Sequence, residues 1–244
     1  MSDSVEFWNE AYIEYVPYKI PESDFAKRNE YFLNVIGDVR GKSILDVGCG
    51  NGELSVHFAL NGAKVTSIDY SETAVQNTLT NAAFHGVEVS AMQLNAMEIY
   101  KLDQTFDLAV GIFILHHLEP FGEMVESLHK VIRQDGRGVF YENNSRNKIL
   151  MFFRNTVVGR FGVPKYGDNT EYPFQYRELK MAESKFPNMR LTYPQIRFFS
   201  LLAPYIFKDN VTSDRITRAM DRFIYKYLPF LNRYSYIQIL DMRK

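Results

Sequence analysis

A glycine-rich turn beside an acidic residue is the part of this sequence whose residue types and spacing best suit ligand chemistry. Gly48, Gly50 and Gly52 alternate directly after a short apolar strand, and that strand carries the carboxylate of Asp46. Glycine reaches positive φ angles and has no Cβ, so the backbone of such a turn can pass close to a ligand. Residues 53–60 are predicted to form the next helix, whose first N–H groups would face a polar ligand.

Three kinds of ligand loop compete for this turn. A Walker-type phosphate loop requires a Lys after its glycines, whereas Glu53 follows here. A dinucleotide loop has the spacing G-x-G-x-x-G, whereas these glycines are spaced G-x-G-x-G. The third kind binds S-adenosylmethionine (SAM), which carries a cationic sulfonium, an amino group and a carboxylate. Asp46 at the end of a strand suits this cation better than it suits a phosphate.

The length of the chain suffices for one large α/β domain, or for a domain with a sizeable cap, and allows a large core. The chain has 244 residues and a net charge of −1, and this balance gives no support for a nucleic-acid partner. Cys49 is the single cysteine, so the chain cannot form an internal disulfide. The polar N-terminus predicts no secretory signal, and no apolar stretch approaches the roughly 20 residues that span a bilayer. We therefore expect a cytoplasmic protein.

Strands and helices alternate through the first part of the chain. We predict strands at residues 43–47, 64–68, 87–93, 106–112 and 137–142, with helices between them. Ser71 is predicted to cap a helix that Gly86 ends. Residues 106–112 are almost continuously apolar, as in a strand buried on both faces. This alternation predicts a doubly wound parallel sheet with helices on both faces.

Beyond residue 142 the alternation ends. Residues 143–173 form a long connection, of the kind that usually acts as a lid or binding loop. We predict a helix at 175–185, a strand at 195–200, an amphipathic helix at 213–227 and a final strand at 234–241. Our interpretation is a single domain, 1–244, with a helical N-terminal lid (1–40), a SAM-binding core (41–142), a substrate cap with strand 6 (143–233) and the final strand (234–244).

The sequence resembles the class I SAM-dependent methyltransferases over about residues 40–142. The run Asp46-Val47-Gly48-Cys49-Gly50-Asn51-Gly52 is similar to their first motif, and Asp69, Asn95-Ala96, the strand run 106–111 and His116-His117-Leu118 follow in family order. The resemblance implies a seven-stranded, mostly parallel, Rossmann-like sheet whose last strand is antiparallel. It also implies SAM as cofactor and S-adenosyl-L-homocysteine as its product. We expect no metal, because the adjacent histidines His116 and His117 point apart and no carboxylate cluster with ligand spacing accompanies them.

Residue by residue, the resemblance implies a SAM site. Asp46 would hold the amino group, Asp69 would accept from the ribose hydroxyls, and Tyr70 would lie against the adenine. Asn95 stands where many family members carry Asp, which is a mild departure because an amide adds a donor. The cofactor-binding residues predicted in this way are Asp46, Gly48, Cys49, Gly50, Asp69, Tyr70, Asn95, Ala96, Met97, Gly111 and Ile112.

Methyl transfer is an in-line displacement, and it needs a base only where the acceptor must lose a proton. His117, just past strand 4, is the predicted base, and Glu142 at the end of strand 5 is the second catalytic candidate. Two alternatives stay open: the histidines could fix the loop, and Glu142 could belong to a hydrogen-bonded turn. The predicted substrate-binding residues are Tyr18, His116, Asn143 and Arg146.

The variable segments are expected to recognise the acceptor. Aromatic side chains near the N-terminus could close over the site, and others in the cap could line an apolar pocket; they are Trp8, Tyr12, Tyr15, Tyr18, Phe152, Phe153, Tyr166, Tyr172, Phe174 and Tyr176. The helix at 213–227 has basic residues on one side and apolar residues on the other. We expect its apolar side to pack on the sheet or a second subunit, although such a helix can also lie on a membrane surface.

The sequence thus predicts a methyltransferase that acts on an O, N or C nucleophile of a small aromatic or lipophilic metabolite, as a monomer or homodimer. One alternative is a methyltransferase for a lipid or lipid-linked acceptor at the membrane surface. Another is a SAM-binding protein without transferase activity. A nicotinamide dehydrogenase is disfavoured by the glycine spacing.

Overall fold

The computed structural model describes residues 2–158, 160, 172–207 and 211–244, and a mixed sheet forms its centre. The strands are β1 (Ser43–Val47), β2 (Lys64–Asp69), β3 (Val89–Gln93), β4 (Phe106–Ile112), β5 (Ile132–Asn143), β6 (Arg190–Thr192) and β7 (Ile237–Arg243). Their order in the 7-stranded sheet is β3-β2-β1-β4-β5-β7-β6. β1 to β5 are parallel, and β7 is antiparallel to both β5 and β6. The predicted doubly wound sheet with an antiparallel last strand is therefore confirmed.

Helices pack on both faces of this sheet. They are α1 (Ser2–Ala11), α2 (Phe25–Arg28), α3 (Glu30–Ile36), α4 (Glu53–Leu60), α5 (Glu72–His85), α6 (Phe121–Val131), α7 (Lys148–Thr156), α8 (Tyr176–Lys185), α9 (Phe199–Phe207) and α10 (Val211–Tyr227). Short 3-10 helices occupy Ile20–Glu22, Ala96–Lys101, Leu115–His117 and Pro229–Tyr234. The predicted cap of α5 is confirmed, since Ser71 Oγ accepts from the N–H of Ala74 at 3.1 Å and Gly86 ends the helix at φ +66°.

The central strands are apolar on both sides because each side is covered. Successive side chains of a strand point to opposite faces. In β1, Ile44 packs with the N-terminal helices and α4, whereas Leu45 packs with α6 and α8. In β5, Val139 packs on the same side as Ile44, and Phe140 packs on the same side as Leu45. The core therefore has three layers, with the sheet between two layers of helices. Because both faces of the sheet are covered, a ligand site is expected at the ends of the strands.

The structure corrects the sequence prediction in the second half of the chain. The strand predicted at 195–200 is wrong, because α9 begins at Phe199 and β6 lies earlier, at Arg190–Thr192. β5 begins at Ile132, five residues before the predicted start at residue 137, and Asp135 within this extension has φ +64°. A register shift against β4 between Phe106 and Leu108 accommodates this irregularity.

The predicted amphipathic helix is present as α10, and in the part of the chain that the structure describes its main contacts are with other helices; packing on a second subunit, the other expectation, stays a prediction. α10 contacts α9 and the 3-10 helix Pro229–Tyr234. Within the described ranges, no helix is both long and apolar enough to cross a membrane. Tyr166, predicted to line an acceptor pocket, lies outside the described residues.

Candidate functional site

A cavity of about 510 Å³ opens at the carboxyl ends of β1, β2, β3 and β4. It lies where the strand order reverses between β1 and β4, the position at which doubly wound sheets bind ligands. The lining residues are Trp8, Tyr12, Gly48, Ile68, Asp69, Tyr70, Ser71, Leu94, Asn95, Ala96, Met97, Ile112, Phe113, Ile114, His117, Leu118 and Glu119. These described residues include carboxylates but neither Lys nor Arg, so the cavity suits a cation better than a phosphate.

The glycine turn forms the floor of this cavity. Gly48, Gly50 and Gly52 adopt φ angles of +71°, +52° and +78°, a region that side chains disfavour. A Cβ on Gly48 would stand 2.6 Å from the Ile114 side chain, so the turn also needs glycine for space. The N–H groups of Gly48 and Cys49 both donate to the carbonyl of Ile68, at 2.9 and 3.0 Å, which fixes the turn beside β2.

Asp69 joins the glycine turn to the end of β2. Its Oδ2 accepts from the N–H of Gly50 and its Oδ1 from the N–H of Ser71, both at 2.9 Å. Burial raises the pKa of this carboxyl, and the two backbone N–H groups oppose the shift. A carboxylate offers about four acceptor positions, so Asp69 retains capacity for hydroxyl groups in the cavity.

Asp46 lies beneath the turn and does not line the cavity. It is 1% exposed, and its Oδ2 accepts from Ser55 Oγ at 2.5 Å. Ser55 Oγ also lies 2.7 Å from Ser67 Oγ, which extends the polar network. Burial raises the pKa of Asp46 to about 7, and the nearby charge of Asp69 adds to this rise.

Asn95 begins the 3-10 helix Ala96–Lys101 at the end of β3. Its Oδ1 accepts from the N–H of Met97 at 2.9 Å. An amide oxygen has two lone pairs, so this cap leaves it able to accept a second bond. Leu94 and Met97 give the same wall of the cavity an apolar surface.

The N-terminal helix α1 supplies the roof. Trp8 packs edge-on against His117 with ring centres 5.7 Å apart, and it stacks on Tyr12 at 5.8 Å. Asn77 Nδ2 donates to the carbonyl of Tyr12 at 2.8 Å, which anchors the end of the roof on α5. Burial and the charge of Asp69 raise the pKa of Tyr12, so this phenol stays protonated and can donate.

Glu142 is fully buried below the 3-10 helix Leu115–His117. Its Oε1 accepts from the N–H of Leu115 at 2.7 Å, and its Oε2 lies 2.8 Å from His116 Nδ1. Both carboxylate oxygens are thus directed at the segment that precedes His117, and Glu142 does not line the cavity. The arrangement fixes the path of the chain from β4 to His117.

The predicted site residues divide into two groups. Those that line the cavity are Gly48, Asp69, Tyr70, Asn95, Ala96, Met97, Ile112 and His117. Those outside its lining are Tyr18, Asp46, Cys49, Gly50, Gly111, His116, Glu142, Asn143 and Arg146.

The residues outside the lining have other contacts. The hydroxyl of Tyr18 donates to Glu53 at the start of α4, and Thr78 Oγ1 donates to Cys49 Sγ at 3.3 Å. Burial raises the pKa of the Cys49 thiol, which keeps it neutral. Asn143 Oδ1 accepts from the N–H of Phe174 at 2.8 Å, and the Arg146 guanidinium lies 5.6 Å from the Tyr176 ring centre.

Sequence reasoning did not single out several lining residues after β4. Phe113, Ile114 and Glu119 reach the cavity through the loop that carries His117, beside Leu118 of the quoted motif. Phe113 has φ +54°, an uncommon conformation for an aromatic residue, and its N–H donates to the carbonyl of Tyr141 at 2.8 Å. Their position next to His117 is the only signal in the sequence that points to them.

The residues present fit SAM. Asp69 offers acceptors for a ribose diol, and Ile68 and Leu94 offer an apolar slot for a flat base. The volume lies within the range of about 300–1,000 Å³ that is usual for small-ligand sites. Among the described residues, no group of three or more His, Cys, Asp or Glu could hold a metal ion.

Comparisons with known proteins agree with this geometry. A family model described as a methyltransferase domain matches residues 44–136. The ubiquinone biosynthesis O-methyltransferase of Alkalilimnicola ehrlichii is 32% identical over 126 residues, which are 51% of this chain and 51% of that protein. The match thus spans about half the length of this curated relative.

Solved structures share the fold over almost the whole chain. Magnesium protoporphyrin IX methyltransferase from Synechocystis PCC 6803, with bound S-adenosylhomocysteine, superposes with a TM-score of 0.59 at 16% identity, covering 100% of this chain and 95% of that one. A SAM-dependent methyltransferase from Archaeoglobus fulgidus superposes with a TM-score of 0.60 at 18% identity, covering 92% of this chain and 96% of that one. These two likenesses, each at under 25% identity, show that the chain has the fold of these methyltransferases, and the methyltransferase-domain model matches its core over residues 44–136.

Proposed function

We propose that this chain transfers the methyl group of SAM to an O, N or C nucleophile on a small aromatic or lipophilic metabolite. The observation that carries the proposal is the cavity at the switch point, where Asp69, the glycine turn and His117 meet. SAM, when bound, supplies an electrophilic methyl group on a sulfonium cation. No metal takes part in the proposed reaction.

The cofactor half of the site would be held by residues of the first four strands. Asp69 accepts from the ribose hydroxyls, and the backbone of Gly48 passes close to the methionine portion. Asn95 and Ala96 bind the adenine edge, with Tyr70 against its face. Asp46 acts from beneath, because its charge attracts a cation through the turn even though its side chain does not reach the cavity.

His117 is the residue we propose as general base, for acceptors that must lose a proton. Its position on the cavity wall supports this role, and Trp8 limits how its ring can turn. Glu142 becomes a positioning residue rather than a catalytic one, because it holds Leu115 and His116 and does not line the cavity. Precise placement of a base accounts for much of its effect on rate.

The acceptor is proposed to enter beside Phe113, Leu118 and Glu119, which line the cavity on the loop that carries His117. An aromatic or lipophilic acceptor suits these walls, and the curated relative named above is a ubiquinone biosynthesis O-methyltransferase. The cap after β5 and the N-terminal segment 1–40 would complete the acceptor pocket within a single domain.

Calorimetry with SAM, S-adenosylhomocysteine and NADH tests the cofactor. We expect SAM and S-adenosylhomocysteine to bind, and Asp69→Ala to weaken both about tenfold, since two hydroxyl groups lose a charged acceptor. Asp103→Ala removes an exposed carboxylate away from the cavity and is the matched control. Binding of NADH without SAM would contradict the proposal.

Production of S-adenosylhomocysteine with a panel of phenols, catechols and amines tests the transfer. We expect turnover with at least one acceptor, and His117→Ala to lower it while leaving SAM affinity unchanged. A protein that binds SAM tightly but gives no product with any acceptor class would instead be a SAM-binding protein without transferase activity.

A further inference from the structure

An apolar stripe on α10 faces solvent. Ile216, Met220, Phe223 and Tyr227 recur at spacings of four, three and four residues, which places them on one side of the helix. They are 55%, 41%, 58% and 58% exposed, and Phe230 just beyond the helix is 65% exposed. Contiguous apolar surface of this kind usually marks an interaction site.

The stripe borders an apolar groove between α9 and α10. The groove has a volume of about 470 Å³ and is lined by Phe199, Ile216, Ala219, Met220, Phe223 and Ile224. All of these side chains are apolar, so the groove suits a hydrocarbon chain and offers nothing to a polar ligand.

Basic side chains lie beside the stripe. Those of α10 are Arg215, Arg218, Arg222 and Lys226, and all of them are exposed. Of the two acids in α10, Asp214 pairs with Arg218 at 2.7 Å. Asp221 is buried, where it accepts from the N–H groups of Phe198, Phe199 and Ser200. The exposed side of α10 is therefore cationic next to its apolar stripe.

We propose that α10 docks on the surface of an anionic lipid bilayer. The stripe and groove take up acyl chains, while the basic side chains meet the headgroups. Each Lys or Arg near such a surface strengthens binding by about 1 kcal/mol, roughly fivefold. A second copy of the chain is a poorer occupant, because a two-fold interface would bring this cationic side against itself.

The docking helix is connected to the edge of the sheet where the cavity opens. Asn144 follows β5, and its Nδ2 donates to the carbonyls of Arg233 and Ser235 at 3.0 and 2.8 Å. These carbonyls flank the end of the 3-10 helix Pro229–Tyr234, which packs on α10. β5 ends beside β4, whose end lines the cavity. Packed elements thus connect the proposed docking helix to the sheet edge at which the acceptor is proposed to bind, a connection whose relevance to the acceptor also rests on the proposed function.

Vesicle flotation of the full chain tests docking without requiring activity. Vesicles contain phosphatidylcholine alone or phosphatidylcholine with phosphatidylserine. We expect flotation with the anionic vesicles, weakened as salt rises, because surface charge is screened. Arg215→Gln/Arg222→Gln should lower the partition coefficient about 30-fold, from two contributions of roughly fivefold each. Ile216→Ser/Phe223→Ser should lower it about tenfold or more, since both side chains leave the acyl region.

Matched controls replace exposed residues at the opposite half of the sheet. Phe84→Ser on α5, where Phe84 is 52% exposed, and Arg40→Gln/Lys64→Gln should float like the unchanged protein. The proposal is overturned if the unchanged chain fails to float with anionic vesicles, or if controls and α10 variants lose binding equally. It is also overturned if sedimentation shows a dimer that Phe223→Ser dissociates and that does not bind vesicles. Because these outcomes involve no cofactor, they stay separate from any failure of methyl transfer.

Discussion

Asp46 and Asp69 are two carboxylates at one turn with different surroundings. Asp69 stands at the cavity and accepts two backbone N–H groups, whereas Asp46 is enclosed with Ser55 and Ser67. A buried carboxylate without a cation in contact is costly to ionise. The glycine turn thus lies between an acid that lines the cavity and an acid that is only partly ionised at neutral pH.

The raised pKa of Asp46 predicts a pH dependence of stability. The pKa of this carboxyl is 3.8 in the unfolded chain and about 7 in the folded chain. Between these values the unfolded chain has released a proton that the folded chain retains, so rising pH favours unfolding. The free energy of unfolding of the unchanged protein should therefore fall relative to Asp46→Asn between pH 3.8 and about 7, and then level off.

Urea unfolding of both proteins across this pH range measures the difference. Asp69 is present in both chains, so its own raised pKa largely cancels in the comparison. A difference that stays flat with pH would show that Asp46 ionises normally in the folded chain.

At the scale of elements, α1 closes the cavity, and its described side chains anchor it at a small number of points. Trp8 contacts His117 and Tyr12, Ser71 Oγ donates to Asn9 Oδ1 at 2.5 Å, and the pairing of α1 with α5 is sparse. Elements with few buried contacts open at low free energy, which suits a roof that admits ligands.

Trp8→Ala is predicted to loosen this roof. The indole covers the cavity and meets His117, so its loss should raise the dissociation constant of S-adenosylhomocysteine about tenfold, mainly through a faster off-rate. Phe7→Ala is the matched control, because Phe7 packs on Trp8 at 5.2 Å but does not line the cavity. Stopped-flow displacement measures both off-rates. Equal rates for the two variants would argue against Trp8 as the roof.

Elements whose signals are local were predictable from the sequence. Ser71 and Gly86 bound α5 as expected, because a cap and a stop signal act within a few residues. The strand predicted at 195–200 overlaps the start of α9, a helix that was not predicted. The N–H groups at the start of α9 donate hydrogen bonds to the carboxylate of Asp221, a residue of α10 more than 20 positions away. A cap supplied from so far along the chain leaves no local pattern.

The same distinction applies to the site. The placement of Asp69 and Asn95 at the cavity was predictable, because Asp69 ends β2 and Asn95 follows β3 at the same edge of the sheet. The burial of Glu142 was not, since its partners Leu115 and His116 lie 27 and 26 positions away. Strand-end position alone does not show whether a carboxylate points into the cavity or beneath it.

At the scale of the whole molecule, Arg137 joins the N-terminal segment to the last strand. Its Nη2 donates to the carbonyls of Val35 and Ile36 at 3.0 and 2.6 Å, at the end of α3. Its Nη1 meets Asp241 of β7 at 3.3 Å. A helix end has carbonyls without intrahelical partners, and a guanidinium satisfies two of them at once. One side chain therefore connects α3, β5 and β7.

Arg137→Ala should lower the free energy of unfolding by about 2–4 kcal/mol, because it leaves carbonyls and a carboxylate with fewer partners. Arg133→Ala is the matched control. Arg133 pairs with Asp107 at 2.6 Å but is 43% exposed, against 21% for Arg137, so its loss should cost less than about 1 kcal/mol. Urea unfolding measures both, and hydrogen exchange reports where protection is lost. Loss of protection should extend through α3 in Arg137→Ala alone, whereas equal costs for the two variants would mean that the connection carries no more stability than a surface ion pair.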